Sequence, residues 1–425
     1  MSKIVVEKIP KIEGHLNFTV IMSEGGVKAR AEALEGTRLL ERLLIGKRFS
    51  EVPDIASRMC GVCQAIHRVT AVQALEDAFG IELPEGIEAL RKIVAISGHL
   101  QSHILHLYLF VMPDFLGYRN IVEMLPDHED ILKKILTMKK LANAVTEITG
   151  GRAVHPVTPI VGGFSKLPTS ASLKRALELA KLFEELSRDV VEKMLSIEMP
   201  SFERKSIYVS LRNGKVFPLL RGDIMASDIG AFQPHEYEKH IRYVTEEYSM
   251  ARHYLLNGEK EYMVGALARV NNNYELMSDE AKEAAKRFGL QFPSYRTFDN
   301  NKAQALEIIH FADEMISILE YLLENSIKKS KVDFEVKPRN GVAVTEAPRG
   351  LLIHHYKINR EGRVEEANII TPTAQNYKNM EADVAAYVAK LRGEKSREEL
   401  KFEVEKLVRA YDPCISCSAR FFREH

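Results

Sequence analysis

Two cysteine pairs carry the clearest metal chemistry in the sequence: Cys60 and Cys63 in Arg58-Met59-Cys60-Gly61-Val62-Cys63, and Cys414 and Cys417 in Asp412-Pro413-Cys414-Ile415-Ser416-Cys417. They account for all 4 cysteines of the 425-residue chain, too few for a disulfide framework at this length. A CxxC at a helix N-terminus sets its two sulfurs about one turn apart on one face, where the positive end of the helix dipole favours the metal-binding thiolate. Two such forks facing each other supply four thiolates. That donor set suits a structural zinc ion, an iron-sulfur cluster, or a redox-active nickel or iron centre. Zinc ribbons bring their two pairs within about 15–20 residues because they staple a small fold. Here the pairs stand at opposite ends of a long chain.

The composition, 45% hydrophobic and 28% charged, supports a large packed core and excludes a disordered chain. Lys+Arg and Asp+Glu both number 59 and are interleaved, which gives no electrostatic footprint for nucleic acid or an acidic membrane surface. The opening residues contain no apolar signal-peptide core. The most apolar stretch, Ile104 to Met112, contains His106, is followed by Pro113, and falls short of the roughly 20 residues that span a bilayer. A cytoplasmic protein with no membrane span and no nucleic-acid partner is expected.

The cysteines must be positioned by the rest of the chain. If both pairs share one site, the two ends meet, and residues 1–425 form one entangled unit. His15 to Met22 and Val27 to Leu34 alternate apolar and polar about Ser23-Glu24-Gly25-Gly26, so the chain opens with a β-hairpin with Glu13 at its open end. Thr37 to Lys47 reads as a short helix carrying Glu41, and Gln64 to Phe79 as a helix with Ile66, Val69, Val72 and Leu75 on one face and Gly80 as C-cap. Helices are also predicted over Ile87 to Met112, Ile131 to Thr149, Ala171 to Leu195, His235 to Leu255, Ala303 to Asn325 and Tyr377 to Leu391. A second hairpin, Leu351 to Ile358 with Arg363 to Ile370, places Arg349 roughly opposite Thr373 at its open end. Ser396 and Glu399 form a capping-box pattern for a helix running to Tyr411, and Asp412-Pro413 can start another from Cys414 to Phe422. The fold class expected is α+β and predominantly helical: a long-helix core with small antiparallel hairpins.

The residues around the cysteines resemble a known family. Arg58-Met59-Cys60-Gly61-Val62-Cys63-Gln64-Ala65-Ile66-His67 and Asp412-Pro413-Cys414-Ile415-Ser416-Cys417 are similar to the two signatures of the nickel-iron hydrogenase large subunit. Lys11-Ile12-Glu13-Gly14-His15-Leu16, Gly151-Arg152-Ala153-Val154-His155-Pro156 with Gly162-Gly163, Glu346-Ala347-Pro348-Arg349-Gly350 and Thr371-Pro372-Thr373 resemble further family motifs in the family's order. Within the family the chain looks most like the cytosolic bidirectional group, which includes archaeal sulfhydrogenases, NADP-linked hydrogenases and deazaflavin-reducing enzymes.

The resemblance implies reversible heterolytic cleavage of dihydrogen. Cys60 and Cys414 would be terminal ligands of nickel, and Cys63 and Cys417 would bridge it to an iron carrying carbonyl and cyanide. Glu13 resembles the proton-relay carboxylate beside the terminal thiolate, and the base nearest the metals would be Cys414 or Arg349. Asp412 and Arg349 would sit over the metals, Pro348 and Thr373 against the diatomic ligands, and His67 near a bridging sulfur. Glu41 and the Ile369 carbonyl match ligands of a magnesium-type site, but Arg420 stands where the family has histidine, and arginine does not ligate a cation. Ser102 stands where many relatives carry aspartate. His99, His103 and His106 share a helix face and read as packed, hydrogen-bonded histidines. Residues 421–425 would be a peptide removed after Arg420 by a maturation endopeptidase. Because all four cysteines are committed to one site, electrons would leave through an iron-sulfur small subunit, then flavin and nicotinamide-binding subunits, to NADP or to sulfur or polysulfide. The alternatives are a deazaflavin- or viologen-linked hydrogenase subunit, a quinone-binding subunit of respiratory complex I, which shares the fold but lacks these cysteines, and a structural four-cysteine zinc protein.

Overall fold

The computed structural model describes residues 2–34 and 40–418. Long helices form its bulk: Gln64–Phe79, Glu85–Ile104, Leu125–Gly150, Ser170–Ser196, Asp299–Glu324, Pro372–Leu391 and Arg397–Ala410. The first hairpin lies one residue from its expected bounds, Leu16–Ser23 with Gly26–Ala33, and Ser2–Val6 adds a third antiparallel strand along it. Leu16, Phe18 and Val20 point into the core, as the alternation requires. Of the short helix expected over Thr37 to Lys47, Leu40–Leu44 is helical, and residues 35–39 lie outside the described residues.

Gln64–Phe79 is the central element. Its expected one-sided apolar face is incomplete as a description, because all its residues except Asp77 are buried. A helix covered on all sides needs neighbours at close range, and Gly341 supplies one. A Cβ there would lie 2.0 Å from the Ala74 carbonyl oxygen, so only glycine lets the strand Asn340–Ala347 press against the helix. That strand pairs antiparallel with Gly350–Ile358, which pairs with Val364–Ile370. The ladder register changes by one residue at Lys357/Ile358, so Arg349 and Thr373 reach the same end of the sheet one residue out of the expected opposition.

Two expectations fail. The helix ending at Pro113 instead passes through a π-helical segment, Leu105–Val111, and continues as Met112–Leu116, with Pro113 in a first-turn position that needs no N–H. His235–Leu255 is not one helix: a turn at Tyr237–His240 leads into strands Ile241–Thr245 and Arg252–Leu256, paired Tyr243 to Tyr254. Its β-branched and aromatic run, Ile241-Arg242-Tyr243-Val244-Thr245, favours a pleated surface over helix. These strands and Ile207–Arg212 help to enclose a second, smaller apolar cluster around Val209, Ile224, Tyr254 and Ile353. No helix among the described residues is long and apolar enough to cross a membrane.

Candidate metal centre

The two ends of the chain meet at the cysteines. Cys63 is the N-cap of Gln64–Phe79, and Cys414 immediately precedes the helical turn Ile415–Ser418. A parallel bridge joins Glu13 to Cys414, with the Ile415 N–H donating to the Glu13 carbonyl at 2.9 Å. This contact holds the open end of the first hairpin against the C-terminal fork.

All four cysteines are free thiols and buried. Cys60 and Cys414 sulfurs are 3.3 Å apart, Cys63 and Cys417 3.2 Å, and Cys414 and Cys417 3.1 Å. All four sulfurs lie within 4.8 Å of one another, the spacing of donors gathered around a metal centre. Backbone N–H groups of Val62 and Cys63 donate to the Cys60 sulfur at 3.2 and 3.4 Å, as a helix start should for a thiolate. Thiols of Cys414, Cys417 and Cys60 hold Cys63 well below its ordinary value, while burial first, and then its thiol neighbours, push Cys414 up. Four soft donors in a dry pocket fit a nickel and iron pair.

Glu13 reaches the cluster from the hairpin: the Cys414 thiol donates to its Oε2 at 3.1 Å. Arg349, 4% exposed, donates from Nε to the Asp412 carbonyl at 2.6 Å and places Nη2 2.9 Å from Asp412 Oδ1. Burial works against its charge, but Asp412 and then Cys414, Cys60 and Cys63 hold the guanidinium well above its ordinary value. Asp412 adopts a left-handed φ of 51°, uncommon for a residue with a side chain, and its Oδ2 accepts from Gln304 Nε2 at 3.2 Å. The Thr373 hydroxyl accepts from the Cys414 N–H at 2.9 Å, and Pro348 is buried next to Arg349. His67 Nε2 lies 3.7 Å from the Cys417 sulfur, and its Nδ1 meets His354 Nε2 at 3.1 Å. The structure therefore brings Glu13, His67, Arg349, Asp412 and Thr373 to one cluster of four cysteines.

Behind the site is a buried charge network with little sequence signal. Arg269 Nε and Nη2 bind Glu307 at 2.6 and 2.7 Å, and its Nη1 binds Glu346 Oε2 at 3.1 Å. Arg269 also donates to the carbonyls of Ala347 and Pro348 at 2.8 and 3.0 Å, holding the turn that carries Arg349. His103 binds Glu307 at 2.8 Å, and His106 lies between Gln304 and the Arg409 carbonyl. His99 faces the Ala95 carbonyl at 2.9 Å, and burial pushes it down to about 3. The three histidines are packed and hydrogen-bonded, as expected. Among the described residues only the cysteines gather as a metal-ligating group.

Glu41 and Ile369 do meet, but through the Ile369 N–H donating to Glu41 Oε1 at 2.7 Å. Among the described residues no third carboxylate, histidine or cysteine gathers with them, and the position of the third family ligand, Arg420, falls beyond those residues. Arg420 and residues 421–425 lie outside the described residues. Sequence reasoning missed Gln304, His354, Arg269, Glu307 and Ser416; only Ser416, a hydroxyl inside the second CxxC, carried a local signal.

Comparison with known proteins agrees with this geometry. Residues 38–134 and 227–420 match the nickel-dependent hydrogenase family. The chain is 36% identical over 428 residues to the alpha subunit of sulfhydrogenase 1 from Pyrococcus furiosus, covering 99% of this chain and 98% of the relative. It is 33% identical over 421 residues to the alpha subunit of sulfhydrogenase 2 from the same organism, covering 99% of each. A crystal structure of an NAD+-reducing [NiFe]-hydrogenase in the H2-reduced state superposes with a TM-score of 0.90 at 25% identity, covering 99% of this chain and 100% of that one. The chain belongs to the nickel-dependent hydrogenase family, as a catalytic large subunit.

Proposed function

We propose that this subunit cleaves dihydrogen heterolytically at the four-cysteine centre and passes the proton out through Glu13. Cys60 and Cys414 would hold nickel as terminal ligands, and Cys63 and Cys417 would bridge it to iron. When bound, nickel and an iron bearing carbonyl and cyanide supply the polarisation of dihydrogen and accept its electrons. The remaining work falls to the chain. Cys414 sulfur is the first proton acceptor, because it touches the Glu13 carboxylate at 3.1 Å, whereas the Arg349 guanidinium is engaged as a donor to Asp412. Glu13 Oε2 takes that proton and hands it outward, a step that needs the hydrogen-bond reach seen here. Arg349, fixed by Asp412, presents positive charge to the reacting centre in a water-poor pocket, where such charge acts most strongly. Pro348 and Thr373 would lie against the diatomic ligands when the metals are bound, with the Thr373 hydroxyl already holding the Cys414 N–H, and His67 supports the Cys417 sulfur.

With 4 cysteines all in one site, the chain has none for electron-relay clusters, which supports an iron-sulfur small subunit as partner. Beyond it, flavin and nicotinamide-binding subunits would carry the electrons to NADP or to sulfur or polysulfide; relatives named sulfhydrogenase and NAD+-reducing hydrogenase are in keeping with a sulfur or nicotinamide acceptor. A maturation endopeptidase acting after Arg420 belongs to the same reading. A four-cysteine zinc protein has no support from these relatives.

The contact between Glu13 and Cys414 carries the proposal. In Glu13→Gln, nickel and iron should remain equimolar and the infrared bands of carbonyl and cyanide should persist, while hydrogen oxidation falls by about 100-fold or more. Undiminished turnover would remove Glu13 from the pathway, and zinc without diatomic bands in the wild type would remove the hydrogenase reading.

A further inference from the structure

We infer that Ser416, which lies between the two ligands of the second fork, is a positioning residue that clamps the Glu13 carboxylate against Cys414. The inference rests on the proposed relay role of Glu13. Glutamate at a hairpin end has three rotatable side-chain bonds, and Glu13 is only partly buried, so its carboxylate needs an anchor to stay in transfer range. Ser416 supplies two. Its backbone N–H donates to Glu13 Oε2 at 3.0 Å and its hydroxyl donates to Oε1 at 2.5 Å. Each oxygen is thus held by a different donor of one residue, which fixes the carboxylate plane and turns Oε2 toward the Cys414 sulfur, 3.1 Å away.

The local fold explains why this position can do it. The first turn of Ile415–Ser418 has N–H groups without helical partners. The Ile415 N–H is taken by the Glu13 carbonyl at 2.9 Å, which leaves the Ser416 N–H to face the side chain of the same residue. Ile415 is buried in the core while Ser416 is only partly buried, so the turn divides its side chains between packing and the carboxylate. Alanine would keep the N–H contact but lose the hold on Oε1. Threonine would keep both.

Purified complex carrying Ser416→Ala, Ser416→Thr or Glu13→Gln tests this. For Ser416→Ala the expected result is unchanged nickel and iron content, unchanged carbonyl and cyanide bands, a kcat for hydrogen oxidation lowered about 10- to 100-fold at constant KM, and a larger solvent deuterium isotope effect. Ser416→Thr should restore kcat and the isotope effect. Wild-type kcat in Ser416→Ala, loss of metal in that variant, or failure of threonine to rescue would each overturn the positioning role. The two ideas separate cleanly: full turnover in Glu13→Gln defeats the relay itself, whereas a slow Glu13→Gln beside a wild-type Ser416→Ala defeats only the clamp.

Discussion

Arg349 grips Asp412 twice, through the backbone carbonyl at 2.6 Å and the carboxylate at 2.9 Å, while Asp412 holds a left-handed φ of 51° two residues before a metal-ligating cysteine. The grip aims the guanidinium and also stabilises an unfavourable backbone conformation at the start of the second fork.

Lysine keeps the charge at position 349 but cannot make both contacts from one planar group. Arg349→Lys should therefore retain nickel and iron and lose about 100-fold or more in hydrogen oxidation. Activity assays beside metal analysis decide it, and near-normal turnover would show that charge alone suffices.

Each thiolate is one quarter of the donor set. Cys60→Ala should weaken nickel retention beyond the roughly 10- to 100-fold typical of losing a supporting residue. The check is elemental analysis after gel filtration with a chelator; wild-type nickel content would argue against Cys60 as a ligand.

Glu307 and Arg269 are both 0% exposed. Glu307→Ala leaves a buried guanidinium short of its bidentate partner, at a cost of about 3–5 kcal/mol. Denaturant unfolding measures it, and a loss under about 1 kcal/mol would mean that Glu346 and the two carbonyls satisfy Arg269 unaided.

Burial pushes Glu346 up to about 7, against the pull of Arg269, while for Glu307 burial is outweighed by Arg269 and His103 together, which draw it down to about 2. The folded state thus keeps a proton on Glu346 that the unfolded chain releases near pH 4.5. This contribution to stability is fully present below pH 4.5 and is lost as pH rises to about 7, at up to roughly 1.4 kcal/mol per unit. Glu307 acts in the opposite sense and lower down, its contribution being lost as pH falls from 4.5 toward 2. Glu346→Gln should therefore gain on the wild type between pH 4.5 and 7. A pH-independent difference would refute the assignment.

What could be read in advance follows from how local each signal is. The capping box at Ser396 and Glu399, the Gly80 C-cap and the four cysteines are written within a few residues, and the structure has them where expected. The strand Asn340–Ala347 was missed because it is buried on both faces after its first residue and shows no alternation. His235–Leu255 was misread because its charged residues mimic helical spacing while β-branched and aromatic residues decide the outcome. The partners of Arg269 lie 38 and 77 residues away, beyond the reach of any local pattern. Motif resemblance marks Glu13, Arg349 and Thr373, and hairpin register brings the last two to one end, whereas nothing in the sequence around Ser416 tells which carboxylate its hydroxyl meets 403 positions away.

The bridge between Glu13 and Cys414 joins residues 401 positions apart. At typical synthesis rates of about 5–20 residues per second, a ribosome needs roughly 20–80 s between making the first and making the second. Throughout that interval the opening hairpin has no C-terminal fork to close against, and Cys60 and Cys63, once made, stand with half a ligand set. Loading of the centre is therefore a late event in the life of each molecule, after translation has passed the last cysteine.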